Sequence, residues 1–412
     1  VPADGESGQG ILAGLRVIEI AAFVAVPLAG ATLASLGADV IRIDPIGGGI
    51  DIERWPRWKN TSLYWSGLNQ GKRSLTVDTR TVAGQEVVRR LVASGGTGGG
   101  VVITNLGARG WASYESLRDV RSDVILVHLQ GNRDGSPAVD YTVNARIGFP
   151  LVTGADPAGP PVNHVLPAWD GMAGHLIATA VLAAERYRSR TGAGQLITLS
   201  LADVALSFVS RLGIVAEAVL DPEPRQRYGN FTYGTFGKDF RTRDGRCLMV
   251  SAMTPGQWHR LVQATGLGAA FDEIAARDQV DLDTDDGRWA TRESIAEVLD
   301  VWVSARDLDA VQKQFDDAGV LWSPYRSFKE MSADPDATAD NPMFTLVSHP
   351  GVGDYSIAST PLTFGAAERR PASVPPRLGE HTDEILTDLL EMSAVEVAAL
   401  RAQGVVGEPA AH

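Results

Sequence analysis

Asp170 stands between an apolar approach, Pro167-Ala-Trp169, and a step of small residues, Gly171-Met-Ala-Gly174. Small side chains beside a carboxylate leave a second molecule room to reach it, and the N–H groups at a helix start favour negative charge there. The pattern has two readings: a reactive carboxylate presented to a substrate, or an aspartate that only caps the following helix. Asn105 and Arg109 come after the strand-like run Val101-Val-Ile-Thr104, at a strand's carboxyl end, where open α/β sheets bind ligands. Asp140 lies in the loop after another such run, Val124-Ile-Leu-Val-His-Leu129, and reads either as a site acid or as a turn residue. His128, inside that run, reads as a core histidine. Cys247, in Arg246-Cys-Leu-Met-Val250, reads as a small core residue rather than a nucleophile. No His/Cys cluster has ligand spacing, so no metal is expected.

These groups need a frame. Gly14-Leu-Arg-Val-Ile-Glu-Ile20 alternates like a strand, residues 21–36 read as a helix, and Gly37-Ala-Asp-Val-Ile-Arg-Ile-Asp44 as a second strand. Strand, helix, strand at this spacing is the βαβ unit of a parallel sheet. The link Ala22-Phe-Val-Ala-Val-Pro27 has no GxGxxG, so a doubly wound sheet is predicted without a dinucleotide site. A further strand over 75–78 and a helix over 80–93 follow. The glycines of 95–100 read as a flexible connection, since no P-loop Lys-Ser/Thr ends them. The apolar run 176–184 predicts a buried helix, 195–200 a strand, and 203–220 a long helix that Asp221-Pro-Glu-Pro224 breaks.

Beyond that break the texture changes. A hairpin is expected to turn at Asp244-Gly245, with helices over 257–266, 285–304 and 307–318, then short strands within 344–364 and a final helix from Thr382. The expected domains are a large one over 11–220 and 346–412 and a smaller α+β one over 225–345. Residues 1–10, rich in Gly and Ser, are expected to fray.

Composition narrows the function classes. A formal net charge of −13 argues against a phosphate-backbone binder, although a local basic pocket can still hold a phosphorylated ligand. One cysteine allows no intrachain disulfide and fits a reducing compartment. There is no run of about 18 apolar residues and no signal-peptide pattern, so no membrane partner is expected and the cytoplasm is the expected location.

Several fragments occur in order along the chain: Gly14-Leu-Arg-Val-Ile-Glu, Leu36-Gly-Ala-Asp-Val-Ile-Arg, Asn69-Gln-Gly-Lys-Arg-Ser, Asn105-Leu-Gly, Asp140-Tyr, Asp170-Gly, Thr191-Gly-Ala-Gly-Gln and Pro376-Arg-Leu-Gly-Glu-His. Together they resemble the class III coenzyme A transferases (CaiB/BaiF type), the family that also holds the α-methylacyl-CoA racemases. Asp44-Pro-Ile-Gly-Gly-Gly49, Gly110-Trp-Ala-Ser-Tyr114, Val139-Asp-Tyr-Thr-Val-Asn144 and Val162-Asn-His-Val-Leu-Pro-Ala-Trp-Asp170 resemble members that move CoA between C1 and C4 of mesaconyl-CoA.

The resemblance implies a Rossmann-like large domain completed by the C-terminal segment, a smaller α+β domain, and a homodimer of interlocked chains. It puts Asp170 on the nucleophile position, with CoA as part of the substrate rather than a resident cofactor, and an acyl-CoA and a small dicarboxylate as partners. Lys72 and Arg73 match the family's Asn-x-x-Lys-Arg-Ser segment and become the first candidates for CoA's phosphates, with Arg42 and Arg109 behind them; a salt bridge is the alternative for each. Asn105 and Leu106 fall where family members line the pantetheine or adenine channel, and Phe23 and Val24 on the loop near the thioester. Asp140 aligns with an acid close to the reacting acyl group. His164 and His175 flank the Asp170 segment and are expected to be structural or to orient substrate.

Three other functions compete. Racemisation needs a proton carrier on each face of the α-carbon, yet the two family positions for them hold Val139 and Thr254. Intermolecular transfer to an acid such as succinate fits the same nucleophile. Binding of an acyl-CoA without turnover is the third.

Overall fold

The computed structural model describes residues 10–410; the fraying expected of residues 1–10 falls, for 1–9, outside them. The chain divides into two compact units. One takes in the chain up to Ile147, Val165–Ala216 and everything from Asp334 onward; the other joins Gly148–His164 to Glu217–Ala333.

The first unit is built on six parallel strands: β1 (Arg16–Ile20), β2 (Asp39–Asp44), β3 (Arg73–Thr76), β4 (Val101–Thr104), β5 (Ile125–Gln130) and β6 (Gln195–Ser200). They lie in the order β3-β2-β1-β4-β5-β6. Val17, Ile18, Val40, Ile41, Val102 and Val127 are buried, as a sheet covered on both faces requires. The chain winds outward from β1 through β2 to β3, then returns to β4 on the other side of β1. The order therefore reverses between β1 and β4, and a crevice opens at their carboxyl ends.

The expected βαβ unit forms, but its helix α1 begins only at Ala25 and runs to Ser35. Residues 21–24 stay a loop because their backbone groups are engaged by side chains. Ala22 exchanges two hydrogen bonds with the Asn105 amide, and Phe23 sits at φ 65° with its N–H on Asp51. Helices α2 (Leu63–Asn69), α3 (Val82–Ala93), α4 (Tyr114–Val120) and α5 (Asp140–Arg146) follow. Helix α6 runs from Ala168 to Thr191, so it begins before the apolar run 176–184 and takes Asp170 into its first turn. The helix expected over 203–220 divides at Gly213, φ 78°, into α7 (Leu201–Arg211) and a short helix over Ile214–Leu220. Gly174 lets α6 approach α1, since a Cβ there would lie 2.8 Å from the carbonyl oxygen of Ala25.

The C-terminal segment completes this unit. Val77 bridges to Val406, and Ile385, Leu386, Val397 and Val405 share one core with Ile18 and Val102. Ser74 and His381 join the two parts: the His381 N–H donates to the Ser74 carbonyl at 2.9 Å, and the Ser74 N–H to His381 Nδ1 at 3.2 Å.

The second unit is α+β. Its antiparallel strands β7 (Phe236–Arg241), β8 (Cys247–Ala252) and β9 (Leu321–Pro324) carry helices around a core that includes Phe236, Trp258, Trp302 and Phe315. The hairpin turns at Asp244-Gly245 as expected, with Gly245 at φ 81°. A helix over Gly268–Asp278 was not expected from the sequence, and the one expected over 285–304 divides at Thr291. Cys247 is partly exposed rather than core.

Candidate active site

The crevice at the carboxyl ends of β1 and β4 deepens into a cavity of about 680 Å³ in the first unit. Phe23 and Val24 from the loop after β1, Asn105 after β4, Asp140 at the start of α5 and Asp170 in α6 all line it.

Asp170 does not cap its own helix. The N-cap is Pro167, which has no side chain able to do so, and the cap comes from another element. Asp140 Oδ2 accepts the N–H of Trp169 at 2.7 Å and of Asp170 at 3.0 Å. A carboxylate is well placed against the positive end of a helix. Trp169 is pinned further by its indole N–H, which donates to Asn144 Oδ1 at 3.2 Å. The Asp170 carboxyl is left facing the cavity. Burial, and then the negative charge of Asp140, push its pKa up to about 7, with Arg54 opposing. The N–H of Gly171 donates to the Pro167 carbonyl at 3.0 Å within the helix.

Beneath the loop after β1 lies a buried chain of charges. Lys72 Nζ is 2.8 Å from Glu19 Oε2, Arg42 Nη1 is 2.9 Å from Glu19 Oε1, and Arg42 Nη2 is 2.8 Å from Asp44 and 3.6 Å from Asp51. Asp51 Oδ2 then accepts the Phe23 N–H at 2.9 Å. A Cβ on Gly30 would stand 1.8 Å from Glu19 Oε2, so glycine in α1 makes room for the buried carboxylate. Burial lowers the Lys72 pKa to about 8, with Glu19 acting in the opposite sense.

The candidates from sequence therefore separate. Phe23, Val24, Asn105, Asp140 and Asp170 meet in one cavity. Asn105 faces the loop, its amide paired with Ala22. Arg42 and Lys72 have fully buried side chains, and the Arg73 guanidinium is divided between Asp39 and Glu384. Arg109 and Leu106 are exposed on the loop after β4, and neither lines the Asp170 cavity. His164 belongs to the second unit, half-buried; His175 is exposed on α6. His128 is partly buried in β5, where burial and then the charge of Arg109 lower its pKa.

Arg54 and Tyr64 were missed. Both line the cavity, and the Arg54 guanidinium lies 5.4 Å from the ring centres of Phe23 and Tyr64. The glycine run Gly47-Gly-Gly49 just ahead of them was the available signal. Among the described residues no helix is long and apolar enough to cross a membrane, and no acid, His or Cys cluster could hold a metal.

A 2-methylfumaryl-CoA isomerase of Chloroflexus aurantiacus is 49% identical over 97% of this chain and 99% of its own length. A succinyl-CoA–D-citramalate CoA-transferase of the same organism is 28% identical over 95% of this chain and 97% of its own. The crystal structure of a CAIB/BAIF family protein from Brucella suis superposes with a TM-score of 0.75 at 27% identity, covering 92% of this chain and 99% of that one. The model of the CoA-transferase family III matches residues 12–382, and the chain belongs to that family.

Proposed function

We propose that the chain transfers CoA between carboxylates through Asp170, and that its reaction moves CoA from C1 to C4 within mesaconyl-CoA, the activity named for the Chloroflexus relative. One observation carries the mechanism: the Asp170 carboxyl opens into a walled cavity, and the described residues lining it include no His, Cys or Lys to serve as an alternative nucleophile.

Ionised Asp170 attacks the C1 thioester carbonyl. The C–S bond breaks, CoA leaves as thiolate, and a mixed anhydride forms. The thiolate then attacks the aspartyl carbonyl, which breaks the anhydride and gives aspartyl-CoA and free mesaconate. After reorientation the C4 carboxylate attacks aspartyl-CoA, thiolate leaves again, and its attack on the C4 carbonyl of the second anhydride returns Asp170 as a carboxylate. Each step keeps one acyl carbonyl activated, either the substrate's or that of Asp170, provided that water is kept out. The start of α1, at Val24 and Ala25, has no side-chain cap and lies in the cavity wall, which supports N–H donation to the developing oxyanions.

For CoA's phosphates, exposed Arg109 beside the crevice is the supported candidate. The ion pairs of Arg42 and Lys72 support a positioning role beneath the Phe23 loop instead. Racemisation loses support from Val139, which lines the cavity without a transferable proton, and from Thr254, whose hydroxyl caps a helix. The functional unit proposed is a homodimer of interlocked chains, as the family resemblance implies, working in the cytoplasm, which the lone cysteine favours.

Mass spectrometry of the Asp170 peptide after brief exposure to mesaconyl-CoA tests the reading. A CoA thioester on Asp170, absent from Asp170→Ala, is the expected result; isomerisation that survives in Asp170→Ala would remove the nucleophile. Sedimentation at twice the chain mass tests the dimer.

A further inference from the structure

Mesaconate carries a charge away from the reacting carbonyl at every stage of the proposed reaction, and the cavity already holds two acids, Asp140 and Asp170. Among the described residues that line it, Arg54 is the one cation. Its backbone is fixed at both ends, the N–H donating to the Asp51 carbonyl at 3.1 Å and the carbonyl accepting from Ser62 Oγ at 2.6 Å. The guanidinium lies by the rings of Phe23 and Tyr64, 5.4 Å from each centre, and no described carboxylate forms an ion pair with it. Arginines held by aromatic faces keep their N–H edge for in-plane, two-point hydrogen bonding to a carboxylate. By contrast, Arg42, Lys72 and Arg73 are each already matched to acids of the chain.

We propose that Arg54 binds the carboxylate of the acyl group that is joined neither to CoA nor to Asp170, which selects dicarboxylic acyl groups and retains free mesaconate between the two halves of the reaction. This rests on the mesaconyl-CoA reading. The charge of Arg54 is felt at Asp170, where it opposes the upward shift caused by burial and Asp140, so the two groups share one electrostatic environment. Once aspartyl-CoA has formed and mesaconate is free, both ends of the diacid are carboxylates and either can take the guanidinium. The exchange of ends is then a turn of the molecule under one fixed cation, with no need to leave the cavity.

The test compares wild type, Arg54→Gln and Arg54→Lys in three measurements: isomerisation of mesaconyl-CoA, escape of isotope-labelled mesaconate per turnover, and Asp170 adduct formation with crotonyl-CoA, which lacks the second carboxylate. Arg54→Gln is expected to lose roughly 100-fold in kcat/KM for mesaconyl-CoA, as loss of a charged partner does. It should also release several times more free mesaconate and, with all rates taken at about pH 9 so that Asp170 is ionised with or without the Arg54 charge, keep its crotonyl-CoA adduct rate within about threefold. Arg54→Lys should recover part of the loss. Unchanged isomerisation by Arg54→Gln, or equal losses with both acyl groups, overturns the proposal. If wild type forms the Asp170 adduct but does not isomerise mesaconyl-CoA, the substrate reading fails instead. Succinyl-CoA against butyryl-CoA then decides the role of Arg54 by the same comparison.

Discussion

Asp140 holds the two N–H groups that open the Asp170 helix, at 2.7 and 3.0 Å, and its negative charge is also the second cause, after burial, of the raised Asp170 pKa. One side chain therefore fixes both where the nucleophile stands and how readily it ionises. The two roles separate by substitution. Asp140→Asn keeps an oxygen for the N–H groups and removes the charge. The acid limb of kcat/KM should move to lower pH, while remaining above the ordinary carboxylate range because burial persists. Asp140→Ala removes the charge as well and leaves the two donors without their acceptor, so the acid limb should shift in the same direction while the plateau of kcat/KM falls by roughly 100-fold, the scale expected when a reacting group is misplaced. A pH profile of both variants checks this.

Asp170 itself links activity to stability. A nucleophile with a pKa of about 7 is mostly protonated in mild acid, so kcat/KM should fall as one proton is taken up below about pH 7. The sign for stability is opposite. Because the folded pKa lies above the ordinary 3.8, the fold holds the neutral acid better than the unfolded chain does, and this advantage is lost as pH rises through about 7. Asp170→Asn should raise the apparent Tm by roughly 1–3 °C at about pH 8 and change little near pH 4. Thermal melts across that range decide it; a variant less stable than wild type at about pH 8 would contradict the assignment.

The sheet was legible because β1, β2, β4 and β5 are apolar runs at βαβ spacing, and buried parallel strands have few other ways to look. Two of the fragments that carried the family resemblance have turned out to be halves of one joint, the Ser74 and His381 backbones meeting at the β3 edge. Other features were hidden in the chain's local pattern. The start of α6 at Ala168 depends on a cap from Asp140, and a cap from a distant element leaves no mark at positions 165–168. Lys72 beside Arg73 read as an open pair of cations. In β3 and the residue before it, one of them turns inward to Glu19 and the other outward to Asp39, a division set by β2 and β1 rather than by their own sequence. Arg54 lay in a stretch with neither helical nor strand periodicity, where only the folded loop brings it to Phe23.

The Lys72–Glu19–Arg42 contacts should behave as one unit. Glu19→Gln leaves two buried cations short of their counter-charge and should cost about 3–5 kcal/mol. Lys72→Met alone removes one of the two cations and leaves Glu19 paired with Arg42. Combined with Glu19→Gln, it should cost clearly less than the two single losses added together, because the second substitution removes a charge that the first had stranded. Urea unfolding of the four proteins gives this coupling directly. Additive losses would mean that Lys72 and Glu19 are energetically independent.

Gly171 and Gly174 separate substrate access from packing on the same helix. At Gly174 an added Cβ meets the Ala25 carbonyl at 2.8 Å and Leu28 at 3.0 Å, so α6 must move away from α1. Gly174→Ala should therefore lose about 1–3 kcal/mol of stability, as overpacked contacts do, and lose activity with it. At Gly171 nothing lies within 4 Å of the same added atom, and alanine is the better helix former. Gly171→Ala should fold as well as wild type or slightly better. An acyl-CoA that reached Asp170 over Gly171 would meet the added methyl group, and kcat/KM would then fall at least tenfold with no loss of Tm. Full activity in Gly171→Ala would place the thioester's approach on the other flank of Asp170, toward Phe23 and Val24, and the pair of melting curves and rate measurements distinguishes the two.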